Sequence, residues 1–197
     1  MNWEALRCAL LRGTPAGRDP APLTGGLEPA AADVPGEIEL LGEALRAELR
    51  RRPRGVLRLA HVDAGSCNGC ESELRALLGP FHDVQRFGVG FVPSPRQADA
   101  LLVTGPVTIA LEAALRAAEQ AMPQPGLLVA VGDCACDGGF CAGSPAVRRG
   151  GGAVRPADVL VPGCPPSPGQ ILRALLAAMG RERVLEGATA SPPGARR

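Results

Sequence analysis

Apolar positions fall at helical spacing in the first quarter of the chain and mostly in short continuous runs after it, and the two patterns predict different elements. Trp3, Leu6 and Leu10 share one helical face before Gly13, which predicts a short amphipathic helix. The stretch from Thr14 to Gly36 is rich in Pro, Gly and Ala and reads as a linker. Ile38, Leu41, Leu45 and Leu49 form a second stripe over about Glu37 to Arg51, stopped by Pro53. Such a helix packs on its own domain or offers its face to another subunit.

From Gly55 onward the pattern changes. Val56 to Val62 reads as a strand running into the turn that holds Cys67, and a helix from Glu71 to Leu78 is closed by Gly79-Pro80. Val84 to Val92 reads as a second strand and Ala100 to Thr104 as a third. A long helix over about Thr108 to Met122 follows, with Leu111, Leu115 and Met122 on its inner face. Gly126 to Val131 gives a fourth strand and Asp158 to Val161 a fifth. The last helix opens on a capping box, Ser167 with Gln170, and has Pro168 at its first position. Its inner stripe is Ile171, Leu172, Leu175 and Met179, ending at Gly180; the small, polar, Pro-rich tail from Gly187 is expected to be disordered.

Near-continuous apolar strands alternating with helices predict an α/β, flavodoxin-like, doubly wound fold. Its sheet is mostly parallel with helices on both faces, and the chain adds a helical N-terminal extension. The expected division is an arm, linker and helix over residues 1–53, an α/β domain over 54–186 and a tail over 187–197. Sites in such sheets lie beyond the carboxyl ends of the strands.

Composition narrows the function classes. A chain of 197 residues buries an adequate core without crosslinks. With 21 basic residues against 20 acidic ones the net charge is +1, which points away from nucleic acid as a partner. Every basic residue is Arg, so the lysine of a P-loop is missing, and Gly88-Val89-Gly90 lacks the third glycine of a dinucleotide fingerprint. No run approaches the roughly 18 consecutive apolar residues of a membrane span, and no secretory or twin-arginine segment opens the sequence. A cytoplasmic, non-spanning protein is expected. Its only histidines are His61, in a predicted strand where it reads as a satisfied core residue, and His82, in a turn; no acid–base or nucleophile set accompanies them.

The seven cysteines carry the chemistry. Cys67 and Cys70 lie in Gly65-Ser66-Cys67-Asn68-Gly69-Cys70, Cys134 in Gly132-Asp133-Cys134 and Cys164 in Pro162-Gly163-Cys164-Pro165-Pro166. Each group follows the carboxyl end of a predicted strand, so three turns are expected to bring four thiolates to one edge of the sheet. Convergent thiolates hold either an iron-sulfur cluster or a structural zinc. A zinc ribbon supplies a second C-x-x-C, whereas here the second pair is split between distant loops; Pro165 directly after Cys164 suits a cluster ligand.

With these residues the chain resembles the small subunits of NiFe hydrogenases and the homologous 20 kDa, cluster-bearing subunit of respiratory complex I. The resemblance runs from about Val56 to Met179. It rests on the three cysteine motifs, on Leu102-Val103-Thr104-Gly105-Pro106-Val107, and on Ala135 with Gly138-Gly139. The spaced Cys-Asn-Gly-Cys, and the opening Leu10-Leu11-Arg12-Gly13-Thr14, are similar to the membrane-bound, energy-converting branch of formate hydrogenlyase type.

The resemblance implies that Cys67, Cys70, Cys134 and Cys164 ligate one 4Fe-4S cluster in an iron-sulfur domain. The chain then relays electrons to or from the NiFe site of a hydrogenase-type large subunit. Since a C-terminal cysteine-rich domain is missing, further clusters are expected in a ferredoxin-like subunit. Membrane subunits would hold the assembly on the cytoplasmic face of the inner membrane. Glu73 matches an acidic position near the subunit boundary, and it also suits the first turn of a helix. Cys136 is an alternative to Cys134, while Cys8 and Cys141 match no ligand position. The basic loop at Arg148-Arg149-Gly150-Gly151-Gly152 reads as a solvated turn. Two other functions fit the cysteines: the cluster subunit of a complex I-like quinone oxidoreductase, and a zinc-binding structural subunit.

Overall fold

The computed structural model describes residues 36–52, 54–148 and 153–189, with side chains as far as Met179. The N-terminal helix, the linker up to residue 35, Cys8, the glycines of the basic loop and the tail beyond residue 189 lie outside the described residues. The elements are α1 (Glu37–Leu49), β1 (Leu57–Asp63), α2 (Gly69–Leu78), β2 (Val89–Phe91), β3 (Ala100–Thr104), α3 (Ile109–Ala121), β4 (Leu127–Val131), α4 (Asp133–Asp137), β5 (Val159–Val161) and α5 (Pro168–Thr189). All five strands are parallel, in the order β2-β1-β3-β4-β5. This is the flavodoxin-like order, in which the connection reverses direction between β1 and β3.

Residue alternation sorts the strand side chains into two cores. Leu57 and Leu59 of β1, Ala100 and Leu102 of β3, Val129 and Val131 of β4, and Val159 and Val161 of β5 face one way. They pack under α1, α2 and α5 through Leu45, Leu74, Ile171 and Leu175. The opposite face carries Ala60, Leu101, Val103 and Leu128 under Leu115 of α3. Every residue of β3 is buried, as a central strand covered on both faces requires. α1 therefore packs on its own domain, burying Ile38, Leu45 and Leu49, and Arg173 of α5 donates to Glu37 at its start. Among the described residues no helix is long and apolar enough to cross a membrane.

Two elements differ from expectation. Val84 to Val92 is not one strand: Val84–Phe87 coil into a 3-10 turn flanked by Asp83 and Gly88 in the left-handed region, and only Val89–Phe91 extend. Phe87 is thereby turned inward against Gly42 of α1, where an added Cβ would lie 2.2 Å from the ring. α5 opens as expected, with Gln170 N–H donating to Ser167 Oγ at 3.3 Å and Ser167 N–H to Gln170 Oε1 at 2.8 Å. It then runs through Gly180 to Thr189. One glycine inside a helix costs only about 1 kcal/mol, and Arg181-Glu182-Arg183 favour the helical state.

The amino-terminal edge of β4 and β5 is fastened by Arg155. Its Nε lies 2.9 Å from Glu119 Oε1, its Nη1 2.8 Å from Asp158 Oδ2, and its Nη2 donates to Gly126 O at 2.9 Å. The three side chains are only 14%, 16% and 12% exposed. Removing the guanidinium strands two largely buried carboxylates, so Arg155→Ala is expected to lower stability by about 3 kcal/mol. Urea unfolding should show this as a lower midpoint with an unchanged slope. An unaltered midpoint would show that the network holds nothing.

Candidate metal centre

Three loops leave the carboxyl ends of β1, β4 and β5, and backbone hydrogen bonds tie each to its neighbours. After β1, Asp63 Oδ1 accepts from the N–H groups of Gly65 and Ser66, both at 2.7 Å, and so shapes the turn that carries Cys67. Partial desolvation raises the Asp63 pKa, but these two bonds outweigh it and hold the carboxyl below its ordinary value. The same turn is tied to the end of β3 and the start of α3: Ala64 N–H donates to Thr104 O at 2.9 Å and Thr108 N–H to Ala64 O at 3.0 Å. Gly105 has φ +77, and a Cβ there would sit 2.4 Å from Ser66 N. Glycine at this place lets the β3 loop lie directly against the Cys67 turn.

The other two loops are clamped to each other. Asp133 N–H donates to Gly163 O at 2.9 Å, and Gly163 N–H returns a bond to Asp133 Oδ1 at 2.7 Å. Asp133, directly before Cys134, is thus a clamp on the Cys164 loop. Cys134 sits in the first turn of α4, while Cys70 is the second residue of α2.

All three loops meet at Gly132. Its φ is +91, and a Cβ added there would fall 2.5 Å from Cys70 Sγ, 3.5 Å from Gly163 O and 3.9 Å from Pro166 Cδ. Beside it, a Cβ on Gly69 would lie 3.6 Å from Cys67 Sγ and 3.9 Å from Pro165 Cβ, and one on Gly139 would lie 2.9 Å from Cys134 Sγ. The thiols of Cys67, Cys70 and Cys134 therefore face glycine backbone, where a side chain would take the space beside the sulfur. All four expected cysteines are free thiols.

Their mutual electrostatics agree with this placement. Burial pushes the Cys70 thiol up to about 12, helped by the charge of Glu71 and by Cys67, Cys134 and Cys164. Cys134 is raised by burial and then by Cys164, Cys141 and Cys67. Burial and the neighbouring groups thus oppose ionisation of Cys70 and Cys134, and a cationic centre would relieve that opposition by taking them as thiolates. Among the described residues no group of three or more His, Cys, Asp or Glu side chains stands ready-made for a single metal ion. The donors present are thiols, three of them beside glycine backbone, and Cys67, Cys70, Cys134 and Cys164 are the residues that would hold a metal centre here.

The remaining thiols are placed differently. Cys136 donates to Ala130 O at 3.8 Å and is pushed up to about 12, chiefly by burial and then by Asp133. Its sulfur is turned back to the sheet. Cys141 lies in the 3-10 turn Gly139–Cys141, close enough for its charge to act on Cys134. Neither histidine joins the thiols. His82 Nδ1 is 2.9 Å from the Ala76 carbonyl and closes the end of α2, while His61, its side chain 28% exposed, places Nε2 2.8 Å from Thr104 Oγ1.

One residue of the rim escaped the sequence reading. Glu73 is half-buried on α2, but Glu71, two residues earlier, is buried outright at 6% exposure. Its Oε1 accepts from Ser66 Oγ at 2.6 Å and from Thr104 Oγ1. Glu71 sits in the first turn of α2, where an acidic residue reads as an ordinary complement to the helix dipole. The signal available in the sequence was the hydroxyl of Thr104, the lone polar position in an otherwise apolar central strand.

Residues 67–178 match the family described as the NADH ubiquinone oxidoreductase 20 Kd subunit. The chain is 37% identical over 158 residues to formate hydrogenlyase subunit 7 of Escherichia coli (strain K12), covering 80% of this chain and 62% of that protein. It thus spans less than two thirds of that relative's length. It is 44% identical over 119 residues to a protein of Pyrococcus furiosus named as a probable membrane-bound hydrogenase subunit, mbhJ, covering 60% of this chain and 71% of the other. Among solved structures, a chain of the membrane-bound sulfane sulfur reductase, an archaeal respiratory membrane complex, superposes with a TM-score of 0.57 at 26% identity. That match covers 75% of this chain and 78% of the other.

Proposed function

The chain belongs to the family of the NADH ubiquinone oxidoreductase 20 Kd subunit, and from that membership we propose that it is the electron-transfer subunit of a membrane-associated hydrogenase complex. It carries one 4Fe-4S cluster on Cys67, Cys70, Cys134 and Cys164. The observation that carries this reading is the meeting of three loops at Gly132, with the Cys70 sulfur against its backbone.

When bound, the cluster supplies a one-electron store. The chain's own work is to hold four sulfurs at one rim and to keep the Cys134 and Cys164 loops in register through Asp133. Gly132 and Gly139 leave room at that rim. Among the described residues no acid–base or nucleophilic set is seen, and this reading assigns chemistry on the substrate to a partner. In this reading that partner is a large subunit with a NiFe site; the E. coli and P. furiosus relatives are named as subunits of a formate hydrogenlyase and of a probable membrane-bound hydrogenase. A ferredoxin-like subunit hands electrons on, and membrane subunits hold the assembly at the cytoplasmic face.

The family's own description favours a second reading, in which the same cluster serves a quinone-reducing complex whose large subunit lacks nickel. A copurifying large subunit with two nickel-binding C-x-x-C pairs decides for hydrogenase, and one without them decides for the quinone enzyme. The cluster itself is tested by metal and sulfide analysis of the chain purified without oxygen. About four irons and about four acid-labile sulfides per chain are expected. Zinc in their place would make the chain a structural subunit.

A further inference from the structure

Glu71 is costly where it stands. A carboxylate at 6% exposure loses most of its hydration, and only one of its oxygens recovers it. Oε1 takes the hydroxyls of Ser66 and Thr104, whereas Oε2 is buried with no hydrogen-bond partner. Both hydroxyls donate to Oε1, so the side chain stands there as the acceptor that a carboxylate is. The basic group that faces it is His61, whose Nε2 lies 3.6 Å from Glu71 Oε1. Thr104 spends its single proton on Glu71, so His61 Nε2, 2.8 Å from Thr104 Oγ1, must be the donor in that bond. Burial lowers the His61 pKa, against the pull of Glu71 and Asp63, and the ring is neutral at pH 7. The carboxylate is thereby held directly after Cys70 in α2 and bonded to the turn that carries Cys67.

Such an uncompensated group in a native core calls for a reason. Two effects are built into this one. Through Ser66, whose Oγ also accepts from Asn68 N–H at 3.2 Å, Glu71 holds the turn between Cys67 and Cys70. Through its charge it acts on any electron placed at the thiols. We propose that Glu71 is a positioning residue of the redox centre: its fixed negative charge, anchored by Ser66 and Thr104, sets the midpoint potential below that of the same cysteines with a neutral neighbour. This rests on the assignment of Cys67, Cys70, Cys134 and Cys164 as cluster ligands. The sign follows from Coulomb's law, since reduction adds negative charge next to a carboxylate and is thereby opposed.

An EPR-monitored redox titration of the full chain, with iron content measured on the same samples, tests this. Glu71→Gln should keep its iron and shift the potential upward by about tenfold in the one-electron reduction equilibrium, which is about 59 mV. Glu71→Asp, which keeps the charge, should stay near wild type. Ser66→Ala should shift the other way, because a hydroxyl that partly neutralises the carboxylate is gone. A geometric role alone gives no such opposition of sign. An unmoved potential in an iron-replete Glu71→Gln chain would overturn the proposal, as would equal shifts in the Gln and Asp variants. If the Gln variant fails to fold, the direction of the Ser66→Ala shift decides. The wild-type control separates the two readings: a cluster with indifferent variants sinks the role of Glu71 alone, and a wild-type chain without iron sinks both.

Discussion

Cys70→Ser is expected to remove the cluster almost entirely, taking iron from about four per chain to near zero. Its sulfur is the one against Gly132, where the loops of β1, β4 and β5 meet, so no neighbouring thiol can substitute without displacing backbone. Cys67→Ser, Cys134→Ser and Cys164→Ser should fall in the same class. Cys136→Ser should keep its iron, because that thiol is turned to the Ala130 carbonyl. Cys8→Ser and Cys141→Ser should also keep theirs. Iron and visible absorbance of the whole series, measured without oxygen, would reverse the assignment if Cys136→Ser lost its cluster and Cys134→Ser did not.

Gly105→Ala should be nearly as damaging, although residue 105 is no ligand. The position has φ +77, which costs a side-chain-bearing residue about 1–2 kcal/mol. The new methyl would also lie 2.4 Å from Ser66 N and 2.6 Å from Ser66 Cα, both main-chain atoms that no rotamer change can move. The β3 loop and the Cys67 turn must part, which also pulls Ser66 from Glu71. A loss of about 3 kcal/mol is expected in urea unfolding, together with reduced iron content. A variant with wild-type midpoint and full iron would show that the close approach is dispensable.

Most of the architecture was legible because its signals are local and repetitive. The apolar runs at Ala100 to Thr104 and Leu127 to Val131 are buried on both faces, and only a central parallel strand demands that. The capping box at Ser167 and Gln170 marked the start of α5 to the residue. What escaped was set by tertiary contacts. Val84 to Phe87 has strand composition, yet the segment coils because Phe87 must reach Gly42 on a helix more than forty residues earlier. Gly180 looked like a stop, but one glycine does not outweigh the helix formers after it. At the rim, the cysteine motifs announced themselves through their glycines and prolines, while Glu71 did not. Its significance lies in Thr104 and Ser66, residues on two other segments, and no spacing along the chain joins the three.

The clamp between Asp133 and Gly163 has a consequence for biosynthesis. A chain emerging from the ribosome displays Cys67, Cys70 and Cys134 well before Gly163 and Cys164 exist, and until then Asp133 has nothing to grip. On the ligand assignment proposed above, three thiols on a half-built sheet would make an incomplete receptor, and iron would be expected to enter only after β5 has docked. The receiving scaffold would then be the finished sheet rather than a nascent strand, because Asp133 grips the last of the three loops.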